Sequence, residues 1–367
     1  MRVYSRLEVG GIEHQMLSLL PRLNERRYAV SLCLLKRAGE MAGWLRERGI
    51  EVHVLPFRSR LHPLDLRALA RLFSTSGIAI VHAHVRESNT SATVAARLAG
   101  VPVVVGSIHN MNTVRGWRRI LQDRLLDRWR DATVAVSERV KRDYCDTVGI
   151  DPAKVVVIHN GVDVSRFEPL QRRPAEILAP LGIPAGERVV ICVARLVPQK
   201  SQEVLLAAAS RVLPRAGATT FLIVGEGPRL GYLQEEARRL GIASKVVFAG
   251  TRNDVPLLMA NSDVSALVST REGFSNVLIE SMAAGLPAVV TDVGGNAEAV
   301  EDGESGFLVA PGDVEGVASR LLTLLTDEPL RARMSAAARA RARLFSLDET
   351  IRRTEALYDR LLEAKGL

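Results

Sequence analysis

Apolar runs with the length of β-strands alternate with helical patterns along almost the whole chain. In the N-terminal half the runs are YAVSLCLL, EVHVLPF, AIVHAH, VPVVVGSIH, ATVAVS and VVVIHNG, and in the C-terminal half RVVICVAR, TTFLIVGEG, KVVFAG, DVSALVST, PAVVTDVGG and GFLVAPG. Strands that alternate with helices favour parallel sheets flanked by helices. Since each half carries about six such strands, we predict an α/β protein with two Rossmann-like domains that face each other across a cleft.

The predicted boundary between the two domains lies in a segment rich in proline and polar residues, EPLQRRPAEILAPLGIPAGE. A chain of 367 residues is too long for one ordinary core, and about 150 residues per domain also suggests two. We therefore predict an N-terminal domain over 1–168, completed by a C-terminal helix in 347–367, and a C-terminal domain over 169–346. The segment MRVYSRL leaves room for only a very short first strand.

The composition excludes several classes of protein. Apolar residues make up 47% and charged residues 25%, which is ordinary for a globular chain, and the longest apolar stretches fall far short of the roughly 18 residues of a membrane span. The first residues lack the apolar run of a signal peptide, which predicts a cytoplasmic protein. Cys33, Cys145 and Cys192 match the spacing of neither a disulfide framework nor a zinc site, so we expect buried thiols.

A formal net charge of +8 suggests nucleic acid, an anionic membrane surface or an anionic small substrate as partner. Half of it comes from residues 112–130, where six arginines and two aspartates give +4. The apolar residues that recur there every four positions, as on one face of a helix, are Trp117, Leu121, Leu125 and Trp129. The candidate membrane-contact residues are Trp117, Arg118, Arg119 and Arg124. Such a basic helix could lie on anionic headgroups, or its apolar face could pack on its own domain.

Glycine-rich turns after predicted strands point to phosphate binding, because ligands of open parallel sheets bind beyond the carboxyl ends of the strands. Gly10 and Gly11 follow the first strand and open a helix, where bare amides can approach a phosphate, although a plain tight turn fits as well. Gly225 and Gly227 match the start of a dinucleotide fingerprint, but Gly231 comes one residue too late. A P-loop motif is absent from the sequence. A nicotinamide enzyme and a P-loop ATPase are therefore disfavoured.

Two cations follow a predicted strand in VARLVPQK. Arg195 and Lys200 lie at its carboxyl end, where a guanidinium and an ammonium can neutralise a diphosphate. The alternative is a pair of solvated surface cations.

The segment REGFSNVLIESMAAG predicts a loop followed by a helix, with Ser275 or Asn276 as N-cap. The N-terminus of that helix is a natural seat for phosphate. Glu272 precedes the seat and Glu280 lies about one turn inside the helix, so both carboxylates can accept hydrogen bonds from hydroxyls on either side of a diphosphate. This arrangement suits a nucleotide sugar. The structural alternative makes Glu272 a loop carboxylate and Glu280 a buried partner of an arginine.

Histidines follow two other predicted strands. His82 and His84 share one face of a strand like a metal-binding pair, but no third ligand at a suitable spacing accompanies them. His109 ends an N-domain strand, where it would point to the ligand and can donate or accept a hydrogen bond.

The order of these motifs resembles that of one known family, glycosyltransferase family 4, retaining group 1 glycosyltransferases of the two-domain GT-B fold. Its signatures are matched by LEVGGIEHQ, SIHN, ATVAVSERV, VIHNGVD, VARLVPQK, VGEGP, EGFSNVLIE, MAAGLPAVVTDVGG and GFLVAPGD. The likeness covers essentially the whole chain, and the paired glutamates are its most specific motif.

The resemblance implies a role for each candidate. The residues it places on the donor diphosphate are Arg195, Lys200, Gly10, Gly11, Asn276 and Val277. Those it places at the donor sugar are His109, Glu272, Gly273 and Phe274, with Ser275 at the helix start. Glu280 would hold the ribose, and the residues near the base would be Glu226, Thr251 and Arg252.

The resemblance also implies the reaction. A sugar would pass from a nucleotide-diphosphate sugar to a lipid-linked or polysaccharide-precursor glycan, with retained anomeric configuration and with neither metal nor cofactor. The donor domain would be the C-terminal one and the acceptor domain the N-terminal one. The partners would be the donor, the acceptor and an anionic membrane surface, with no nucleic acid, and the protein would lie in the cytoplasm or on the inner face of the membrane.

Two other classes fit part of the pattern. A nucleotide-sugar epimerase shares the fold class and the donor, but the paired-glutamate loop argues against it. A non-catalytic membrane- or nucleic-acid-binding protein would explain the charge, yet no nucleic-acid recognition module is visible.

Overall fold

The computed structural model describes residues 1–6, 11–39, 41–111, 116–168, 170 and 172–367. The chain divides into two units, the first formed by Met1–Gly161 with Leu347–Leu367 and the second by Val162–Ser346. Each unit contains one sheet in which every strand pairing is parallel, as the alternating pattern predicts. All twelve predicted strands form.

The sheet of the first unit has seven strands in the order β3-β2-β1-β4-β5-β6-β7. These strands are β1 (Arg2–Tyr4), β2 (Ser31–Leu34), β3 (Glu51–Val54), β4 (Ile80–His84), β5 (Val103–Ile108), β6 (Ala132–Ala135) and β7 (Val155–Val157). Its N-terminal helices are α1 (Gly11–Arg26), α2 (Met41–Glu47), α3 (Pro63–Thr75), α4 (Val85–Leu98), α5 (Trp117–Asp127) and α6 (Glu138–Val148). The central strands β4 and β5 are buried at every position, because helices cover both faces of the sheet.

The second unit contains a six-stranded sheet in the order β10-β9-β8-β11-β12-β13. Its strands are β8 (Arg188–Val193), β9 (Thr219–Val224), β10 (Val246–Phe248), β11 (Val264–Leu267), β12 (Ala288–Thr291) and β13 (Gly306–Val309). Its helices are α7 (Pro174–Leu178), α8 (Gln202–Val212), α9 (Leu230–Arg239), α10 (Val255–Ala260), α11 (Asn276–Ala283), α12 (Asn296–Ala299), α13 (Val314–Thr326) and α14 (Glu328–Ala342). Single 3-10 turns lie at Pro152–Lys154, Val164–Arg166, Ala179–Leu181, Pro198–Lys200, Ala243–Lys245 and Arg343–Phe345.

The last helix, α15 (Leu347–Glu363), packs on the sheet of the first unit. Ile351 lies in one apolar cluster with residues of α1 and β2, and Leu357 lies in another with residues of β4 and β5. Farther along the helix, Asp359 accepts a hydrogen bond of 2.5 Å from the hydroxyl of Tyr28. The end of the chain therefore completes the N-terminal core.

Two expectations from the composition concern the state of the cysteines and the presence of membrane-spanning helices. Cys33, Cys145 and Cys192 are all buried free thiols, which confirms the prediction. Among the helices that the described residues form, none combines the length and the apolar character that a bilayer crossing needs.

Candidate active site

The loops after β8, β9, β11 and β12 lie at one edge of the second sheet, because its strands are all parallel. The order of connection reverses between β8 and β11, which are neighbours in the sheet. Ligands of open α/β sheets bind beyond such a switch point. Most of the predicted donor-site residues lie on these loops.

Lys200 and Glu272 form a direct ion pair at this edge. Nζ of Lys200 lies 2.5 Å from Oε1 of Glu272, and the Ser269 hydroxyl donates to the same oxygen at 2.6 Å. The side chains of Lys200 and Glu272 are only 17% and 10% exposed. Charges this enclosed interact more strongly than surface pairs do, and they fix each other's positions.

A second contact joins the two loops that carry this pair. The amide of Thr270 donates to the Gln199 carbonyl at 2.9 Å, and Nε2 of Gln199 donates to the Arg271 carbonyl at 2.6 Å. The loop after β8 and the loop after β11 are thus joined by backbone and side-chain bonds. The Lys200–Glu272 pair is therefore supported by hydrogen bonds between the two loops that carry it, unlike an isolated ion pair between two surface side chains.

The turn after β12 packs against the loop 268–275, the glutamate loop, which carries Glu272. Gly294 has a φ of +54°, and a Cβ there would lie 2.1 Å from the Glu272 carbonyl oxygen. The neighbouring amide of Gly295 donates to the Gly273 carbonyl at 2.7 Å. Only glycine permits this close approach with a left-handed backbone, so the glycine pair of TDVGG positions Glu272.

Helix α11 begins where the sequence predicts. Ser275 is its N-cap, and its hydroxyl accepts from the Leu278 amide at 3.4 Å. The amides at Asn276 and Val277 belong to the first turn, where helical N–H groups point outward and the helix dipole favours an anion. The ring of Phe274 packs against that of Phe345, with centroids 5.1 Å apart, and this anchors the loop before the helix.

Glu280 lies half-buried in α11. Burial raises the pKa of Glu280 to about 7, and the positive charge of Arg166 only partly opposes the shift. A carboxyl group with this pKa changes its protonation near neutral pH. It can accept hydrogen bonds from hydroxyls as a carboxylate or share a proton with them as an acid.

The GEG turn after β9 holds the loop that carries Arg195. A Cβ on Gly225, whose φ is +129°, would lie 2.2 Å from the Ala194 carbonyl oxygen, and one on Gly227 would lie 2.4 Å from the Leu196 carbonyl oxygen. These two glycines therefore let two backbone segments pack closely. The side chain of Arg195 is exposed at this edge.

Glu226, between those glycines, contacts the loop after β10. Its Oε1 accepts from the Thr251 amide at 3.4 Å. The next residue, Arg252, makes a two-point ion pair with Asp254, with N–O distances of 2.8 and 2.7 Å. The structure thus brings Glu226 together with Thr251, while the guanidinium of Arg252 has an acidic partner of its own.

His109 lies in the first unit, immediately after β5. Its Nε2 is 3.0 Å from Nδ1 of His84. Burial and the nearby charge of Arg2 lower the pKa of His109 to about 4, so the imidazole is neutral at neutral pH. Of the predicted glycine turn, Gly10 lies outside the described residues, and Gly11 is the first residue of α1.

The two strand histidines form hydrogen bonds to protein groups. His82 bonds the hydroxyls of Ser107 at 2.6 Å and Tyr358 at 2.7 Å. Within the described ranges, no cluster of three or more His, Cys, Asp or Glu is arranged to hold a metal ion. His82 has both ring nitrogens engaged by protein groups.

The basic helix α5 presents its apolar residues to solvent. The four residues of the predicted stripe are 49–70% exposed; they are Trp117, Leu121, Leu125 and Trp129. The alternative, that this face packs on its own domain, does not match the structure. Trp129 lies just beyond the end of the helix. Nε of Arg124 donates to the Val148 carbonyl at 2.9 Å, so this candidate cation also has a structural contact.

The residues that support the site are not among those predicted from the sequence. Ser269 and Gln199 bond the glutamate loop, and Gly294 and Gly295 pack beneath it. The glycine pair directly after a predicted strand was a usable signal. For Ser269 and Gln199 the sequence carries no distinguishing pattern.

Two family models match most of the chain. Residues 9–166 match "Glycosyltransferase Family 4" and residues 175–341 match "Glycosyl transferases group 1". The UDP-Gal:alpha-D-GlcNAc-diphosphoundecaprenol alpha-1,3-galactosyltransferase of Escherichia coli is 26% identical over 340 residues, which cover 88% of this chain and 86% of that relative. The D-inositol 3-phosphate glycosyltransferase of Salinispora arenicola is 33% identical over 313 residues, 78% of this chain and 70% of that relative.

Solved structures show the same fold. Anabaena HepE in complex with UDP superposes with a TM-score of 0.87 at 24% identity, covering 98% of this chain and 99% of that one. A glycosyltransferase from Rickettsia africae superposes with a TM-score of 0.88 at 22% identity, covering 98% and 97%. These likenesses confirm the predicted GT-B fold.

Proposed function

Because this chain belongs to the group 1 and family 4 glycosyltransferases, we propose that it transfers a hexose from a UDP-sugar to a lipid-linked or polysaccharide-precursor glycan, with retention of anomeric configuration. The observation that carries this proposal is the enclosed Lys200–Glu272 pair beside the N-terminus of α11. UDP is proposed as the nucleotide because the relative from E. coli is named for UDP-Gal and Anabaena HepE was solved with UDP and with UDP-glucose.

The diphosphate is proposed to bind where positive charge collects. Arg195 and Lys200 supply two cations at the carboxyl end of β8, and the amides of Asn276 and Val277 supply the positive end of a helix dipole. As the bond from the anomeric carbon to the diphosphate oxygen breaks, negative charge grows on the leaving group. Fixed cations and amides lower the barrier at that moment, because they need no reorganisation. We propose that they make a metal ion unnecessary.

The two glutamates are proposed to hold hydroxyl groups on either side of the diphosphate. Glu272 is fixed by Lys200 and Ser269 and would accept bonds from the sugar, while Glu280 would accept bonds from the ribose. The acceptor hydroxyl would attack the anomeric carbon on the face from which the diphosphate departs, and its proton would pass to a departing phosphate oxygen. His109 would contact the transferred sugar during this step.

The test is transfer by the purified protein in the presence of a chelator. The assay supplies UDP-glucose, UDP-galactose and UDP-N-acetylglucosamine in turn, with a sugar linked to a lipid through a diphosphate as acceptor. NMR determines the anomeric configuration of the product. We expect transfer from one UDP-sugar, with retention, and a loss of at least a hundredfold in Lys200→Ala. Lys245→Ala is the matched control, because Lys245 also pairs with a glutamate at 2.5 Å but lies directly before β10, at the opposite edge of the same parallel sheet. Inversion at the anomeric carbon, or equal activity in both variants, would contradict the proposal.

A membrane surface is proposed as a second partner. The exposed stripe of α5 combines two tryptophans with the arginines Arg118 and Arg119, and the guanidinium of Arg118 lies 5.2 Å from the Trp117 ring. Aromatic and basic side chains together favour the headgroup region of an anionic bilayer. A lipid-linked acceptor would be reached from such a surface, and we therefore propose that the enzyme works at the cytoplasmic face of the membrane.

A further inference from the structure

Three polar side chains form a hydrogen-bonded relay inside the first unit. Nη1 of Arg2 lies 2.6 Å from Nε2 of His84, and Nδ1 of His84 lies 3.0 Å from Nε2 of His109. Arg2 and His84 are only 4% and 3% exposed, so water does not compete for these contacts. The relay ends at the residue proposed to meet the transferred sugar.

The arginine determines the proton positions along the relay. A guanidinium can only donate hydrogen bonds, so Nε2 of His84 must accept and carries no proton. A neutral imidazole has one N–H, which leaves the proton of His84 on Nδ1, facing His109. Nε2 of His109 must then accept in turn, so the single proton of a neutral His109 resides on Nδ1.

The ring of His84 is held in the orientation that this chain of bonds needs. It stacks on Tyr4 with centroids 4.5 Å apart and an interplanar angle of 9°, and on His82 with centroids 4.4 Å apart. Rotation of a ring packed in this way would break two stacking contacts. The tautomer of His84 is therefore fixed by its bonds and its packing together.

The last N–H in the relay lacks an acceptor within the part of the chain that the structure describes. Nδ1 of His109 is buried, yet it has no hydrogen-bond partner among the residues that the structure describes. A buried N–H without an acceptor is costly, and such a group at a binding site is satisfied when a ligand oxygen arrives.

We propose that Arg2 and His84 are positioning residues that fix His109 as the Nδ1–H tautomer, so that it meets the transferred sugar as an obligatory hydrogen-bond donor. The ligand group that His109 binds is therefore an oxygen that accepts a hydrogen bond, such as a sugar hydroxyl oxygen or ring oxygen. The role of His109 at the sugar rests on the proposed function, but the tautomer does not.

The direct test is long-range ¹H–¹⁵N NMR on full-length protein labelled with ¹⁵N-histidine, at pH 7.5 and without substrate. The chain has seven histidines, and the signals that disappear in His109→Asn identify His109. We expect His109 and His84 both protonated on Nδ1 alone. A proton on Nε2 of His109, or on both its nitrogens, would overturn the relay even if the enzyme transfers sugar. Lack of transfer together with the expected tautomer would instead count against the proposed function.

Variants separate this relay from simple packing. His84→Leu removes the donor toward His109, so we expect a mixture of His109 tautomers and a kcat lower by roughly tenfold, the effect of one misdirected hydrogen bond, with little change in the donor KM. His84→Asn, whose amide nitrogen takes the place of Nδ1, should restore the Nδ1–H tautomer and most of the kcat. Equal kcat and tautomer in His84→Leu and wild type would overturn the proposal.

The active-site position supplies a second, independent comparison. Asparagine places its amide near the position of histidine Nδ1, whereas glutamine places it near Nε2. We therefore expect His109→Asn to retain more of kcat than His109→Gln. The reverse order would show that Nε2 faces the sugar and would refute the assignment.

Discussion

Oε1 of Glu272 accepts hydrogen bonds from Nζ of Lys200 and from the hydroxyl of Ser269, and so it joins two loops 72 positions apart in the sequence. Lys200 is only 17% exposed, and its removal would leave a largely buried carboxylate without its counter-charge. The proposed catalytic role of this pair and its structural role can be separated by experiment.

Lys200→Met should lower the free energy of unfolding by about 3–5 kcal/mol, because this is the usual cost of leaving one charge of a buried ion pair without its partner. The double variant Lys200→Met/Glu272→Gln should recover part of that loss, since no uncompensated charge remains. Urea unfolding of both single variants and the double variant gives the coupling energy. Strictly additive effects would show that the two charges do not stabilise each other.

Glu280→Gln should stabilise the fold in a pH-dependent way. The pKa of Glu280 is raised from an ordinary 4.5 to about 7, so the folded protein holds a proton between these values that the unfolded chain has lost. The ionised carboxylate therefore costs stability above pH 7, and the cost vanishes as the pH falls toward 4.5. We expect the variant to be more stable than wild type by up to about 3 kcal/mol at pH 8 and nearly equal to it at pH 5.

The same substitution should weaken the binding of UDP. Glutamine offers one acceptor where the carboxylate offers two, so we expect the Kd of UDP at pH 8 to rise by roughly tenfold. Calorimetric titration measures this Kd. If Glu280→Gln bound UDP with unchanged affinity and were also more stable than wild type, Glu280 would not bind the ribose. Its carboxylate would then be a structural group that costs stability.

His109 should make the fold sensitive to acid. Its pKa lies at about 4 in the folded state against an ordinary 6.5, so the unfolded chain binds a proton between these values and the folded chain does not. The stabilising contribution of neutral His109 is complete above pH 6.5 and is lost as the pH falls toward 4. In His109→Gln the loss of stability between pH 7.5 and 4.5 should be smaller by about 2–3 kcal/mol. Urea unfolding measures the free energy of unfolding at each pH. If it changed with pH by the same amount in His109→Gln and in the wild-type protein, the lowered pKa of His109 would be contradicted.

Gly294→Ala should damage both the fold and the transfer reaction. Its Cβ would lie 2.1 Å from the Glu272 carbonyl oxygen, so the glutamate loop would have to move. Gly312→Ala is the matched control, because its φ is also positive, at +79°, but nothing lies within 4 Å of the added atom. We expect about 1–2 kcal/mol of backbone strain in the control, with activity retained, and a larger loss with little activity in Gly294→Ala. Equal effects would mean that the glutamate loop tolerates displacement.

Removing the exposed face of α5 should weaken membrane binding. The triple variant Trp117→Ser/Arg118→Ser/Arg119→Ser keeps Arg124, whose Nε bonds Val148. We expect the triple variant to co-sediment less with anionic liposomes than the wild-type protein does. We also expect the binding of the wild-type protein to these liposomes to weaken as the salt concentration is raised. Replacing Arg238 and Arg239, an exposed pair on α9, should leave binding unchanged. Wild-type binding by the triple variant would assign α5 some other role.

The fold was predictable because buried parallel strands read as continuous apolar runs, and all of those identified form strands. The helix start at Ser275 was predictable for a similar reason, since an N-cap is a local signal. The contact between Lys200 and Glu272 was not, because it depends on β8 and β11 being neighbours in the sheet. Periodicity likewise identified the apolar face of α5, but it cannot say whether anything covers that face.

The position of α15 in the first unit has a practical consequence. The first unit is built from both ends of the chain, whereas the second is one uninterrupted stretch, 162–346. The two ends of that stretch lie side by side, since the amide of Val162 donates to the Phe345 carbonyl and Val162 pairs with Ser346. The second unit can thus be excised by one cut at each end, while a C-terminal deletion would remove part of the N-terminal core. A truncation series read by position along the chain would assign such damage to the wrong half of the enzyme.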